Sequence, residues 1–363
     1  MSKCFVLGAG FSKAIANLPL MKELTASFQS IRDREKAKSS AINKNLVKWV
    51  DLINKRLEDF EQEFFVKPCI SKIPGMTHID CDFKENIEAV LSFIDLNLSG
   101  KIHATVIYEN GKTADFTKRS LFSNLLEEDL VDLRGAIKNC IYFSLIQPQV
   151  KPDDLELFLQ TLNDGDQIVT FNYDLIIETA LYKRHLWNPF DGYGVKFQTL
   201  QEDEIAYSRR FKSKNQLFKL HGSLNWEGLS IHKPGLLLES FYDNGTSIFP
   251  GYLMEARPRK YPRVSHEGDW ILPTFIKDFS VPELLCVWNS ASEALRMAQE
   301  VIVIGYSMPL ADQAACILFG TTEIEQKHLF IINPDRSVER RFSQITGNEN
   351  IHYYKSIEEF VRK

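Results

Sequence analysis

The residues with the most chemical promise stand in five short groups, each directly after an apolar run. They are Gly8-Ala9-Gly10-Phe11-Ser12, Asn172-Tyr173-Asp174, His221-Gly222-Ser223, Gly305-Tyr306-Ser307 and Asn333-Pro334-Asp335. A Gly-x-Gly turn between a strand and a helix lets backbone N–H groups approach a pyrophosphate at the helix N-terminus. Ser12 can cap that helix or donate to a phosphate. The third glycine of a G-x-G-x-x-G fingerprint is missing, with Lys13 in its place, and no acid-ended strand follows about 20 residues on. Both departures count against an ordinary nicotinamide dehydrogenase, and a plain tight turn would read the same way.

Asn172 and Asp174 share one strand end. An amide there can orient a water or a sugar hydroxyl. Equally, Asp174 can cap the helix that follows and Asn172 can satisfy a turn. His221 is one of eight histidines and the only one set between a strand and a glycine. An imidazole can take a proton from a hydroxyl or a water near pH 7, although a lone histidine is also a common core group. His78, His103, His185, His232, His266, His328 and His352 show no metal-type i, i+4 spacing and read as structural or surface groups. Two basic clusters, Arg209, Arg210, Lys212, Lys214 and Lys219 and then Arg257, Arg259, Lys260 and Arg263, read as solvated surface, with a phosphate or nucleic-acid contact as the alternative. Trp226 and Trp288 read as core.

These groups need elements to hold them. Five buried-strand runs precede them: Cys4–Leu7, Gln167–Phe171, Leu217–Leu220, Val301–Ile304 and Leu329–Ile332. Helical patterns lie over Asp174–Tyr182, Pro282–Ala298, Pro309–Phe319 and Ser337–Ile345. Strands alternating with helices predict an α/β fold, a Rossmann-like open parallel sheet with helices on both faces. In such a sheet the strand ends share one edge, where ligands bind, so five polar strand ends predict one shared pocket. From about 31 to 160 the pattern turns helical, over Ile42–Phe65, Lys84–Leu98, Ser120–Leu145 and Asp153–Leu162. Ile87, Val90, Leu91 and Ile94 form an apolar stripe at helical spacing, and a small strand pair is expected around Ala104–Asp115, turning at Asn110-Gly111. The expected organisation is a discontinuous sheet domain, 1–30 and 165–363, interrupted by a mainly helical insertion, 31–164. Residues 232–270 read as a long irregular loop or a small β excursion.

Composition narrows the class without naming a function. The chain has 363 residues, 44% apolar and 25% charged, and a net charge of −5 from 43 basic and 48 acidic side chains. That balance argues against direct, broad binding of nucleic acid. No run approaches the roughly 18 apolar residues of a membrane span, and the start MSKCFVLGAGF holds too short an apolar run for a signal peptide. The six cysteines, Cys4, Cys69, Cys81, Cys140, Cys286 and Cys316, include no C-x-x-C pair, which counts against a zinc knuckle. Free thiols in apolar runs fit a reducing, cytoplasmic setting.

Taken in order, GAGFS (8–12), TFNYD (170–174), KLHGSLNW (219–226), VIGYSMPLAD (303–312) and IINPD (331–335) resemble the sirtuin-like family. They look closer to its bacterial branch, which includes NAD-hydrolysing effectors of anti-phage defence such as those of the Thoeris type, than to the protein deacetylases. NIEAVLS (86–92) has the look of that branch as well. The resemblance implies NAD+ as the ligand. Gly8, Ala9, Gly10, Phe11 and Ser12 would line its diphosphate and ribose. Asn172 and Asp174 would lie beside the nicotinamide ribose, with Asn172 and the catalytic His221 carrying the chemistry. Gly305, Ser307 and Asn333, with Asp312 in the same turn region, would hold the adenosine half.

Three departures bear on the activity. Deacetylases carry two zinc-binding C-x-x-C pairs, absent here; they have a Gln before the catalytic Asn, where this chain has Phe171; and no acyl-lysine tunnel segment is evident after His221. Water then replaces an acyl oxygen as nucleophile, and the expected activity is NAD+ glycohydrolysis without a metal. A non-catalytic NAD or ADP-ribose sensor is the alternative, and an NAD-dependent deacylase is disfavoured. NAD+ depletion is toxic, so the resemblance further implies control by assembly into a homo-oligomer or by an activating partner, for instance an ATPase or a nucleic-acid-guided protein, with the helical insertion as the candidate interface.

Overall fold

The computed structural model describes residues 2–38, 43–60, 86–99, 105–107, 113–115, 127–146, 148–189, 191–195, 211–228, 236–238, 271–274, 282–309 and 312–362. The strands are β1 (Lys3–Leu7), β2 (Thr105–Ile107), β3 (Thr113–Asp115), β4 (Gln167–Thr170), β5 (Gln216–Lys219), β6 (Trp226–Gly228), β7 (Leu236–Leu238), β8 (Glu300–Ile304), β9 (His328–Ile332) and β10 (Ile351–Tyr354). The helices are α1 (Ala9–Ala16), α2 (Leu24–Lys36), α3 (Lys44–Phe60), α4 (Ile87–Ser99), α5 (Glu127–Leu145), α6 (Pro152–Leu159), α7 (Ile176–Lys183), α8 (Pro282–Met297), α9 (Gln313–Gly320), α10 (Ser337–Thr346) and α11 (Ile357–Val361). The chain divides into two compact units. The first is 1–20, 145–271 and 277–363; the second is 21–144 with 272–276. Helix α6, expected inside the insertion, lies in the first unit, where it packs on α1 and α11.

Six strands of the first unit form one sheet in the order β10-β9-β8-β1-β4-β5, every pair parallel. Numbered one to six along the chain, this is the 3-2-1-4-5-6 order of the doubly wound α/β folds, with the order reversing between β1 and β8. Helices covering a parallel sheet bury both faces of its strands, which explains the near-continuous apolar runs. Cys4, Phe5, Val6 and Leu7 are wholly buried, and so are Val301, Val303, Leu329 and Ile331. Each large apolar side chain buried this way contributes about 1.5–3 kcal/mol. β10 is the strand missing from the sequence expectation. It is an edge strand, IHYY, with His352 exposed, so it lacks the apolar run that marks its neighbours.

Register sets the site. Leu7 stands level with Thr170 and with Ile304; Thr170 is level with Lys219, Ile304 with Ile332, and Ile332 with Tyr354. All six strands therefore end in one row, and the residues that follow emerge along a single edge.

The second unit is built from α2, α3, α4 and α5 with the antiparallel β2–β3 pair. Ile87, Val90, Leu91 and Ile94 are buried, as their spacing predicts. Asn43 and Asn86 start α3 and α4 by accepting the N–H groups of Leu46 and Ala89 at 3.1 and 3.0 Å. Arg134 of α5 reaches Asp95 of α4 at 2.6 Å. The turn expected at Asn110-Gly111 lies outside the described residues. Among those described, no helix is long and apolar enough to cross a membrane.

Candidate functional site

The glycine loop after β1 interlocks with the turn after β8, its neighbour across the reversal point. Gly8 N–H donates to Ile304 O at 3.0 Å and Gly10 N–H to Gly305 O at 2.8 Å. A Cβ on Gly8 would stand 2.5 Å from Tyr306 Cα, and one on Gly305 would stand 2.1 Å from Phe11 N. Gly305 also adopts φ +64°, a conformation that only glycine takes without cost. The glycines at 8 and 305 are thus required by the close approach of two backbones. Within the loop, Ala9 is exposed and Gly10 half-buried. Phe11 turns its ring into the core, edge-on to Phe158 at 4.9 Å, so it presents only backbone at the edge.

Ser12, Asn172 and Asp174 form one network across the ends of β1 and β4. The Ser12 hydroxyl donates to Asp174 Oδ2 at 2.7 Å and accepts from Asn172 Nδ2 at 2.9 Å. The same Nδ2 donates to Gly8 O at 2.9 Å. Thr170 Oγ1 bonds Leu7 O and accepts Asn172 N–H, both at 3.1 Å, locking the turn to the sheet. With both amide protons committed, the half-buried Asn172 offers its carbonyl Oδ1 as an acceptor. Asp174 serves two ends. Its Oδ1 accepts Ile176 N–H at 3.1 Å at the start of α7, and its Oδ2 holds Ser12. Asp174 thus holds the start of α7 and the Ser12–Asn172 network at once, whereas Ser12 faces this network and does not cap α1.

His221 follows β5 on the next strand end. Gly222, at φ +78°, turns the chain sharply behind it. The His221 carbonyl accepts Ile271 N–H at 2.8 Å, and Trp288 Nε1 donates to the preceding carbonyl, Leu220 O, at 2.8 Å. The imidazole is buried, edge-on to Phe171 at 5.3 Å and 6.1 Å from the Tyr173 ring. Its Nε2 lies 3.6 Å from Asp312 Oδ2. Asp312 sits at the N-terminus of α9 without capping it. Its carboxylate turns inward instead, where Tyr306 O–H donates to Oδ2 at 3.2 Å, and the Tyr306 ring stacks on Phe171 at 4.0 Å.

The remaining expected residues lie further along the edge. Asn333 is buried after β9 and caps locally, accepting Asp335 N–H at 3.0 Å. Ser307 is exposed, its carbonyl bonded by Arg341. Trp226 is buried in the core, and Trp288 packs against it. Lys212 and Lys214 are exposed as expected. Lys219, read from the sequence as part of the same basic surface, is instead completely buried and paired with Glu178 of α7 at 2.6 Å. Burial pushes the Glu178 carboxyl above the ordinary carboxylate range, and the Lys219 charge offsets only part of that rise. The sequence signal for Lys219 is a single cation inside the run Leu217-Phe218-Lys219-Leu220. Arg209, Arg210, the basic cluster at 257–263 and most of the 232–270 loop lie outside the described residues, as do His78, His103, His232, His266, Cys69 and Cys81. Among the described residues, no group of three His, Cys, Asp or Glu side chains is placed to hold a metal ion.

Residues 166–262 match the family model of the SIR2-like domain. The match spans β4, the Asn172–Asp174 turn, β5 and His221, and it supports a sirtuin-like family and an NAD-related function. No curated protein matches the chain.

Proposed function

We propose, from the SIR2-like segment and the groups along this sheet edge, that the protein is an NAD+ glycohydrolase, NAD+ and water giving nicotinamide, ADP-ribose and a proton. The observation that carries the reading is the pairing of two adjacent strand ends: an asparagine with a committed amide and an open carbonyl on one, a histidine backed by a buried carboxylate on the other. Nicotinamide leaves as a neutral molecule, so the protein need only stabilise an oxocarbenium-like ribose and position a water. Asn172 Oδ1 accepts a hydrogen bond from that water or from a ribose hydroxyl. His221 takes the proton, and Asp312 stabilises the imidazolium as it forms. The Gly8–Ser12 loop faces the diphosphate, with Asp174 beside the nicotinamide ribose. Gly305, Ser307 and Asn333 face the adenosine half. Asp312 thereby acts through His221 and not on the adenosine.

The reading extends to a bacterial effector of anti-phage defence that depletes NAD+, held inactive until it assembles as a homo-oligomer, an assembly that contact with a partner protein promotes. The second unit is the proposed interface; it carries the exposed apolar side chains Leu96 of α4 and Val131 of α5. Incubation of the purified chain with NAD+ and separate quantification of nicotinamide and ADP-ribose tests the activity. Equimolar release supports it, and full activity in both Asn172→Ala and His221→Ala refutes the assignment of the site. One observation favours a non-catalytic NAD or ADP-ribose sensor as the second reading. Ser12 and the Asn172 amide are already bonded to each other, and groups spent inside the protein have less to offer a substrate. Calorimetric binding without nicotinamide release would favour that reading.

A further inference from the structure

Lys219 and Glu178 are both fully buried side chains in the first unit. The three ammonium protons of Lys219 have three acceptors: Glu178 Oε1 at 2.6 Å, Asp174 O at 2.5 Å and Tyr173 O at 3.2 Å. Around the carboxylate stand Tyr193 O–H at 3.3 Å and Ser223 Oγ at 3.5 Å. A buried ion pair is a poor stability device, because an apolar pair of like volume often serves the fold as well or better. What this pair adds is placement. Lys219 lies on β5, two residues before His221, and two of its three bonds hold carbonyls of the turn that carries Asn172 and Asp174. Leu224 N–H also bonds Tyr173 O, at 3.1 Å, so the segment after His221 grips the same turn from its other side.

We infer that Lys219 is a positioning residue, a buried ammonium brace that sets the Asn172–Asp174 turn against His221 so that both face one substrate. The inference rests on the proposed NAD+ cleavage and deepens it. Glu178 is the counter-charge that keeps the ammonium in place.

The experiment compares the wild type with Lys219→Met/Glu178→Leu, which removes brace and counter-charge together, and with Glu178→Gln, which retains an acceptor for Lys219 and its bonds to the two carbonyls. In nicotinamide release, the double variant is expected to lose about 100-fold in kcat while KM for NAD+ changes less than about threefold. Glu178→Gln is expected to stay within about tenfold of the wild-type kcat. Hydrogen exchange over 172–176 is expected to quicken in the double variant while β1 and β8 stay protected. A double variant with wild-type kcat and wild-type protection of 172–176 overturns the inference, and so does one that no longer folds, since the pair would then be a stability element. If the wild type itself releases no nicotinamide, the proposed activity fails, and the brace is still decided by the exchange of 172–176.

Discussion

Asp312→Asn keeps the volume of the side chain and an oxygen for the Tyr306 hydroxyl, and removes one negative charge beside His221. In the proposed reaction His221 becomes cationic only as it takes the proton, so the charge of Asp312 is worth more in the transition state than in the ground state. At the observed 3.6 Å, and with an effective dielectric of about 20, a unit charge pair is worth about 4–5 kcal/mol. Each 1.36 kcal/mol is about tenfold in rate, so the ceiling is a loss of about 2,000-fold, and reorganisation around the neutral amide brings the expected loss to about 100–1,000-fold in kcat. KM for NAD+ should hardly move, because Asp312 faces His221. Initial rates of nicotinamide release across a range of NAD+ concentrations separate the two parameters, and a thermal melt within a few degrees of the wild type shows that the fold is intact. A folded Asp312→Asn protein with kcat within threefold of the wild type would refute the argument, and a rise in KM alone would return Asp312 to the substrate-binding groups.

Other consequences are open to direct measurement. Gly305→Ala forces a left-handed backbone on alanine and sets its Cβ into the Gly10–Phe11 backbone, so it should cost about 2–4 kcal/mol in urea unfolding. Gly135→Ala, inside α5 with open space around the new Cβ, should instead stabilise the helical unit by about 0.5–1 kcal/mol. Burial holds the Cys4 and Cys140 thiols far above their ordinary range, whereas Cys286 is exposed. Brief alkylation of the native protein followed by peptide mass spectrometry should therefore mark Cys286 and leave Cys4 and Cys140 unmodified.

The strands legible in the sequence were those whose burial on both faces demands an apolar run, such as Cys4–Leu7 and Val301–Ile304. β10 escaped because, as an edge strand buried only in part, it carries His352 and Tyr353 where an inner strand carries Val or Ile. The polar groups after each strand were legible for the same reason, since the runs end where the chain leaves the sheet, and parallel register brings those ends to one edge. Their reasons were less legible. Gly8 suggested room for a phosphate and Gly305 a contact to the adenosine half, but each glycine is required where two backbones meet, a contact between segments remote in sequence. Asp312 turns from its helix toward His221, a pairing that no local spacing encodes. Lys219 was grouped with Lys212 and Lys214 by proximity in sequence, although the apolar neighbours on either side of it already marked an inner strand.

In the proposed reaction Asn172 and His221 cleave NAD+ with water. The most direct measurement follows NAD+, nicotinamide and ADP-ribose together, with the wild type, Asn172→Ala and His221→Ala each assayed over a series of protein concentrations that spans any self-assembly, and with the oligomeric state recorded in parallel. The wild type should release equimolar nicotinamide and ADP-ribose, at a rate rising more steeply than protein concentration as copies assemble, and each variant should lose about 100-fold or more. NAD+ left intact by the wild type at every concentration, or equal turnover in all three proteins, would contradict the proposed reaction.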